Sequence, residues 1–313
     1  MKASSWYALA LCAGSATALT ADAARGDILI DGKGVHPESV TSSKDGSLFT
    51  GSNPGIIYRA GPRDTTAVPF ITPNAENGLR STYGVLADDA QGRLWVCSVA
   101  PFGAPRGAAP PQPSEVVAFD LKSGKLVGRW PFPGGGTCND IAIGADGAAY
   151  ATDTPGGRIL KLAKGGTALE VVAADDRLKG IDGIAIAPDG KMYINNVQKQ
   201  EMWRVALQPG GAPAVLTKLE VDMPMAGPDG LRSIGGNRFL QAEGTAGRIT
   251  LLTISGDKVT TVVLKEGLQS SPGVTLVGNT AYAVEGKINY LFDAKLRGQD
   301  PGPFKAIAIP LPR

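Results

Sequence analysis

The chain is poor in the side chains that most often announce chemistry. Its 313 residues include one histidine, His36, and three cysteines, Cys12, Cys97 and Cys138. No C-x-x-C or Cys/His spacing is present, which excludes the usual zinc sites. Charge is sparse as well: 19% of residues are charged and the net charge is +2. That balance gives no electrostatic reason to expect nucleic acid or an anionic membrane as partner. No long amphipathic stretch of 3.6-residue period occurs, so a helical architecture is not expected. The apolar run from Trp6 to Leu19 is too short and too rich in small residues for a membrane span. With Lys2 before it and Ala21-Asp22-Ala23 after it, it reads as a signal peptide over residues 1–23. An exported protein, periplasmic or secreted, is the expectation.

Glycine (42) and proline (23) are plentiful, and they punctuate a repeat. GIDGIAIAPDGKMYINN, residues 180–196, has two alternating apolar runs around a Pro-Asp-Gly turn and reads as a β-hairpin. Its second-strand aromatic, Tyr193, has counterparts at Phe49, Trp95, Tyr150, Phe239 and Tyr282. The spacing of a little over forty residues, with strands inside and no helices, is that of a β-propeller with one blade per repeat. The expected fold is all-β, a six-bladed β-propeller occupying residues 24–313 as one domain. GDILIDG at the start and PFKAIAIPL at the end are expected to pair and close the ring.

Counting back by a fixed interval from each aromatic reaches Glu38, Gly84, Asn139, Asp182, Pro228 (with Asp229 next to it) and Ser271. These positions open the innermost strands, so Glu38, Asn139, Asp182 and Asp229 are expected to converge on the channel axis. Oxygen ligands from separate segments suit one hard divalent cation, best Ca²⁺, with Mg²⁺, Mn²⁺ or Zn²⁺ as alternatives. His36, two residues before Glu38, is a candidate acid or base of the same mouth, against a structural turn histidine. Asp140 is expected to bond nearby backbone. Asn53, Asp153, Asn195, Asn196 and Glu243 lie in loops of that face and are candidate substrate contacts. Pro101–Ser114, rich in Pro, Gly and Ala, reads equally as a lid or as a rigid excursion. Cys97 and Cys138 are expected to be buried free thiols, a disulfide being the less favoured alternative.

The segments HPESVTSSKDGSLFTGSNPGIIYRA, CNDIAIGADGAAYATDTPGGRILKL, GIDGIAIAPDGKMYINN and GPDGLRSIGGNRFLQAEG resemble the regucalcin–gluconolactonase family of six-bladed propellers. The first also resembles strictosidine-synthase-like propellers. The resemblance covers essentially the whole chain after the leader. It implies a divalent cation on a Glu, two Asn and an Asp, matched here by Glu38, Asn139, Asp182 and Asp229. Asp182 stands where the family has Asn, giving three carboxylates rather than two. It also implies that Asp229 is the general base for a metal-activated water attacking a lactone, a sugar lactone among the candidates, or a related small-molecule ester. A non-hydrolytic propeller, either a ligand-binding scaffold with a structural metal or a lyase-like relative, is the alternative. Oligomeric state is not legible in the sequence.

Overall fold

A computed structural model describes Met1, residues 25–101 and residues 113–312. The expected leader and most of the Pro101–Ser114 loop lie outside the described residues. Within them the chain is nearly all β. The exceptions are one short helix, Asn289–Phe292, and two 3₁₀ turns. No helix among the described residues is long and apolar enough to cross a membrane.

The strands form antiparallel meanders in sequence order. One sheet holds Ser81–Asp88, Arg93–Val99, Glu115–Asp120 and Leu126–Pro131. The next holds Cys138–Ile143, Ala149–Asp153, Arg158–Leu162 and Glu170–Ala174, and the next Ile181–Ile186, Met192–Asn196, Glu201–Ala206 and Val215–Lys218. A further sheet runs Pro228–Ser233, Arg238–Glu243, Arg248–Ser255 and Lys258–Lys265, with Glu220–Val221 added in parallel at its edge. The last sheet has eight strands. It joins Val40–Ser42, Leu48–Thr50, Ile57–Ala60 and Thr66–Ile71 to Ile28–Ile30, Phe304–Pro310, Thr280–Val284 and Gly273–Val277. The join is a short parallel pairing of Leu29 opposite Thr66. The expected meeting of chain ends is present on the other side of the same strand, with Ile28 opposite Ala306.

The first strand of each meander packs on the first strand of the next, and Gly273–Val277 packs back on Val40–Ser42. The sheets therefore close around an axis, an arrangement consistent with a β-propeller. Close approach at that axis selects small residues. A Cβ on Gly183 would lie 2.3 Å from the carbonyl oxygen of Asp229, and one on Gly273 would lie 2.8 Å from Cα of Ser39. The six repeat aromatics, Phe49, Trp95, Tyr150, Tyr193, Phe239 and Tyr282, all lie on the second strand of their meander and are buried. They fill the space between neighbouring sheets, where Tyr193 packs edge-on against Phe239 with ring centres 5.1 Å apart.

The cysteines correct the sequence expectation, because Cys97 and Cys138 form a disulfide. Cys97 lies on a second strand and Cys138 opens the inner strand of the next sheet. Stacking of the two sheets puts both in one fully buried cluster with their Cα atoms 5.2 Å apart, inside the span a disulfide needs. The expectation of free thiols treated neighbouring sheets as too far apart for such a meeting.

Candidate active site at the channel mouth

One irregularity recurs at the start of the inner strands. The register with the second strand shifts between Thr82 and Val85, between Cys138 and Ile141, between Ile181 and Ile184, and between Pro228 and Leu231. Such bulges bend a strand and re-aim the residues they contain. The residues so placed are Tyr83-Gly84, Asn139-Asp140, Asp182-Gly183 and Asp229-Gly230. The fixed-interval count had reached Gly84 in the second repeat, and the structural register puts Tyr83 in that place. Sequence reasoning missed Tyr83. The signal that would have found it is the dipeptide: Tyr-Gly stands where Asp-Gly stands in two other repeats.

Glu38, Asp182 and Asp229 come together with Asn139. The Asn139 amide donates to Asp182 Oδ2 at 2.9 Å and to Thr154 Oγ1 at 2.9 Å. Asp182 and Asp229 are hydrogen-bonded through their side chains. Asp182 Oδ1 is buried and has no hydrogen-bond partner. Glu38 and Asp229 keep some solvent-facing surface, yet burial is the first cause of every shift here. It pushes the Glu38 carboxyl up to about 8, with the Asp182 charge adding to it. Burial and then Asp140 push Asp182 up to about 7, against the hydrogen bonds from Asp229 and Asn139. Asp229 is held well above the usual carboxyl range by burial, then by Asp182 and Glu38. Burial raises the Tyr83 phenol too, and the charges of Glu38, Asp182 and Asp229 raise it further. No Lys or Arg is among the groups acting on these carboxyls.

Asn139's neighbour is treated oppositely. Asp140 Oδ2 accepts from Arg232 Nη1 at 2.7 Å and from the Ile184 amide at 3.2 Å. Arg232 crosses the axis, with Nη2 donating to Ser39 Oγ at 3.2 Å and to the Val85 carbonyl at 3.3 Å. This buried ion pair separates the acidic mouth from a cavity of about 330 Å³ lined by the far ends of the inner strands, Ile143, Ile186 and Ser233 among them. Asp140 is thus structural, as the sequence indicated, but its principal partner is a side chain from across the channel.

The remaining candidates are distributed differently. His36 is buried in a left-handed conformation, φ +40°. Its Nδ1 donates to the Gly286 carbonyl at 3.0 Å and its ring packs edge-on against Phe304. Burial is the first cause lowering its pKa, with Lys287 adding to it, and none of the mouth carboxyls acts on it. Asp153 and Glu243 are clasps rather than free contacts. Asp153 binds the Thr137 amide and Arg158, and Glu243 binds the Ala226 amide and Arg248. Asn196 caps its own turn through the Lys199 amide and the Lys179 carbonyl. Asn53 accepts from Ser81 Oγ at 3.1 Å. Asn195 lies directly behind the site: Nδ2 donates to the Asp229 carbonyl at 2.6 Å and Oδ1 accepts from the Gly183 amide at 2.8 Å.

A cleft of about 530 Å³ opens beside Asp229. Lys287 to Tyr290 and Leu296, from the long connection between Thr280–Val284 and Phe304–Pro310, line it as well. The mouth therefore offers a carboxyl group at the edge of a half-open cleft of small-molecule size.

No family model and no curated protein matches the sequence. Solved structures do match in fold. A gluconolactonase from Xanthomonas campestris aligns with a TM-score of 0.62 at 17% identity, covering 90% of this chain and 87% of that one. A putative gluconolactonase aligns at 0.63 and 17% identity, covering 90% and 92%. Virginiamycin B lyase from Staphylococcus aureus, in a complex with quinupristin, aligns at 0.60 and 17% identity, covering 90% and 83%. At these identities the likeness is one of fold, shared by enzymes of different chemistry.

Proposed function

We propose that this chain is an exported six-bladed propeller hydrolase that opens a lactone or cleaves a related small ester. The eight-stranded sheet is then two blades fused through the Leu29–Thr66 pairing. One divalent cation, Ca²⁺ by preference, belongs to the site, held by Glu38, Asn139, Asp182 and Asp229. The observation that carries this reading is the buried, unpartnered Asp182 Oδ1 among three carboxyls on which no cationic side chain acts. Buried carboxylates are ordinarily paired or bound to metal, and an all-oxygen set fits a hard ion. Among the described residues no three His, Cys, Asp or Glu side chains form a ready-made cage, so the carboxyls would draw inward and the Asn139 amide oxygen would complete the set.

When bound, the ion supplies polarisation of the ester carbonyl and a more acidic water. The protein's own groups supply the rest. Asp229, at the edge of the cleft, takes the proton of the attacking water through a carboxylate oxygen. Asn195 fixes its backbone from behind. The Tyr83 phenol, facing the same carboxyls, stays protonated and donates a hydrogen bond to oxygen in the mouth. His36, engaged by Gly286 and Phe304, holds the wall rather than the proton.

A panel of lactones and aryl esters assayed in H₂¹⁸O, with and without chelator, tests this. Chelator-sensitive turnover with ¹⁸O in the acid product is the expected result. An unsaturated product free of ¹⁸O would assign the lyase alternative, and protein that neither binds a divalent ion nor turns over any ester would leave a binding propeller.

A further inference from the structure

The residues two places beyond the repeat aromatics share one task in three successive meanders. Cys97 follows Trp95, Thr152 follows Tyr150 and Asn195 follows Tyr193 at that interval, and all three are fully buried. Each reaches forward to the start of the next inner strand. Cys97 is bonded to Cys138, the residue before Asn139. Thr152 Oγ1 donates to the Asp182 carbonyl at 2.7 Å. Asn195 Nδ2 donates to the Asp229 carbonyl at 2.6 Å. Two of them also hold the bulge of their own meander: Thr152 Oγ1 accepts from the Asp140 amide at 3.0 Å, and Asn195 Oδ1 from the Gly183 amide at 2.8 Å.

The chemistry of these side chains follows from the bulges. A bulge leaves backbone groups outside the ladder, and buried ones need partners. A hydroxyl or an amide can donate and accept at once, so one side chain serves two bulges and fixes the distance between them. Elsewhere in the ring the same place is filled otherwise. Gly51 holds it in the first meander, where a Cβ would collide with Thr82 Oγ1. There the link comes from the other side, since Thr82 Oγ1 accepts from the Ser52 amide at 2.6 Å and donates to the Ser52 carbonyl at 3.1 Å. Val284 holds it in the last meander and its side chain cannot hydrogen-bond. There His36, two residues before Glu38, binds the Gly286 carbonyl instead. The segments carrying Glu38, Tyr83, Asn139, Asp182 and Asp229 are thus each tied to the meander before them.

We propose that Thr152 and Asn195, together with the Cys97–Cys138 bond, are positioning residues of the mouth. They set the separation of Asn139, Asp182 and Asp229, and through it the affinity of the mouth for a divalent cation. Thr152 and Asn195 grip the Asp182 and Asp229 segments through backbone carbonyls, which leaves both carboxyl groups for the ligand. The inference rests on the ion-site reading, so its test includes a measurement that needs neither ion nor turnover.

Thr152→Val, Thr152→Ser, Asn195→Leu and the double variant Cys97→Ala/Cys138→Ala would be compared with the parent. The readouts are Ca²⁺ calorimetry, lactone turnover and amide hydrogen exchange in chelator. Exchange at Asp140 should quicken in Thr152→Val, and exchange at Gly183 in Asn195→Leu. Ca²⁺ affinity should fall by about 10- to 100-fold in both, the usual scale for losing a group behind a metal ligand. Thr152→Ser keeps the hydroxyl and should restore it. At saturating Ca²⁺, kcat should fall more than KM rises. Folded Thr152→Val and Asn195→Leu with parent-like Ca²⁺ affinity, or a Thr152→Ser as weak as Thr152→Val, overturns the proposal. If Thr152→Val does not fold, Asn195→Leu decides. Parent-like affinity in the double cysteine variant removes the disulfide from the series. Exchange unchanged in every variant overturns the ties themselves. A parent that binds no divalent ion, with the exchange changes intact, overturns the metal reading and leaves the positioning of the bulges standing.

Discussion

Asn139 and Asp140 are consecutive residues in one bulge, and they face two different electrostatic regions. Toward the mouth, Asn139 joins Glu38, Asp182 and Asp229, a group in which burial and mutual repulsion raise every carboxyl and one oxygen lacks any partner. Toward the channel interior, Asp140 meets Arg232, with side chains 5% and 11% exposed, inside a set of hydrogen bonds that links the inner segments of five sheets. Burial is similar in the two places, and each keeps an orphan carboxyl oxygen, Asp182 Oδ1 at the mouth and Asp140 Oδ1 inside; the difference lies in charge. The inner carboxylate has Arg232 as its counter-ion, in a link between strands that share no ladder. No cationic side chain acts on the mouth carboxyls, and that uncompensated charge is what a site for an external cation requires.

The sharpest way to break this contrast is at Asp229. Asp229→Ala should lower ester turnover by about 10²- to 10⁴-fold, the range that loss of a general base commonly gives. Its thermal stability should hold or rise, because a carboxyl raised by burial opposes folding whenever it is ionised. Parent-like hydrolysis in that variant would remove the mouth from the chemistry. Next in size is Arg232→Met, which leaves Asp140 buried without its partner. A loss of about 3 to 5 kcal/mol in unfolding free energy is expected from breaking one side of such a pair. The double variant with Asp140→Leu should recover much of it in denaturant titrations. Equal stability of Arg232→Met and parent would mean that the inner pair is not the link described above.

A smaller effect concerns pH. Folded-state pKa values near 8 for Glu38 and near 7 for Asp182 exceed unfolded values of about 4. Between these limits the folded chain holds protons on these two groups that the unfolded chain has released, so their contribution to stability is full below about pH 4 and is lost as pH rises toward 8. Melting of chelated protein should show that downward slope, and added Ca²⁺ should flatten it at the alkaline end. A slope of opposite sign would contradict the shifts. The smallest effect is expected from Asp182→Asn, which removes one of three carboxylates and keeps an oxygen in place. The alkaline slope should lessen, ion affinity should drop modestly, and most turnover should survive.

The aromatic repeat was legible because each blade reuses one packing solution, so Phe49 through Tyr282 recur at near-constant spacing and end up on equivalent strands. The four mouth residues were legible for the same reason. Tyr83 was not, since a count at fixed interval passes over the bulge and lands on Gly84. Arg232 was hidden because its partners lie across the axis, a relation that no local pattern encodes. Asp153 and Glu243, read from the sequence as candidate substrate contacts, are each engaged by an arginine. Their clasps with Arg158 and Arg248 did leave a trace, an acidic residue followed five positions later by Arg in two repeats. The excursion after Val284 escaped notice because spacing is measured between successive aromatics, and none of the series follows Tyr282.

The strand Ile28–Ile30 lies between Thr66–Ile71 and Phe304–Pro310, and this has a kinetic consequence. Leu29 pairs with Thr66, close to it in sequence, and with Lys305, far along the chain. Until Phe304–Pro310 arrives, one edge of Ile28–Ile30 is unpaired and the ring of inner strands is open, so the pieces of the mouth have no common axis. Contacts of such long sequence separation are slow to form, and exposed edges during that wait favour pairing with other chains. Closure through Ile28–Ile30 is therefore expected late in folding, and Glu38, which precedes a strand of the closing sheet, is expected to join Asn139, Asp182 and Asp229 only then.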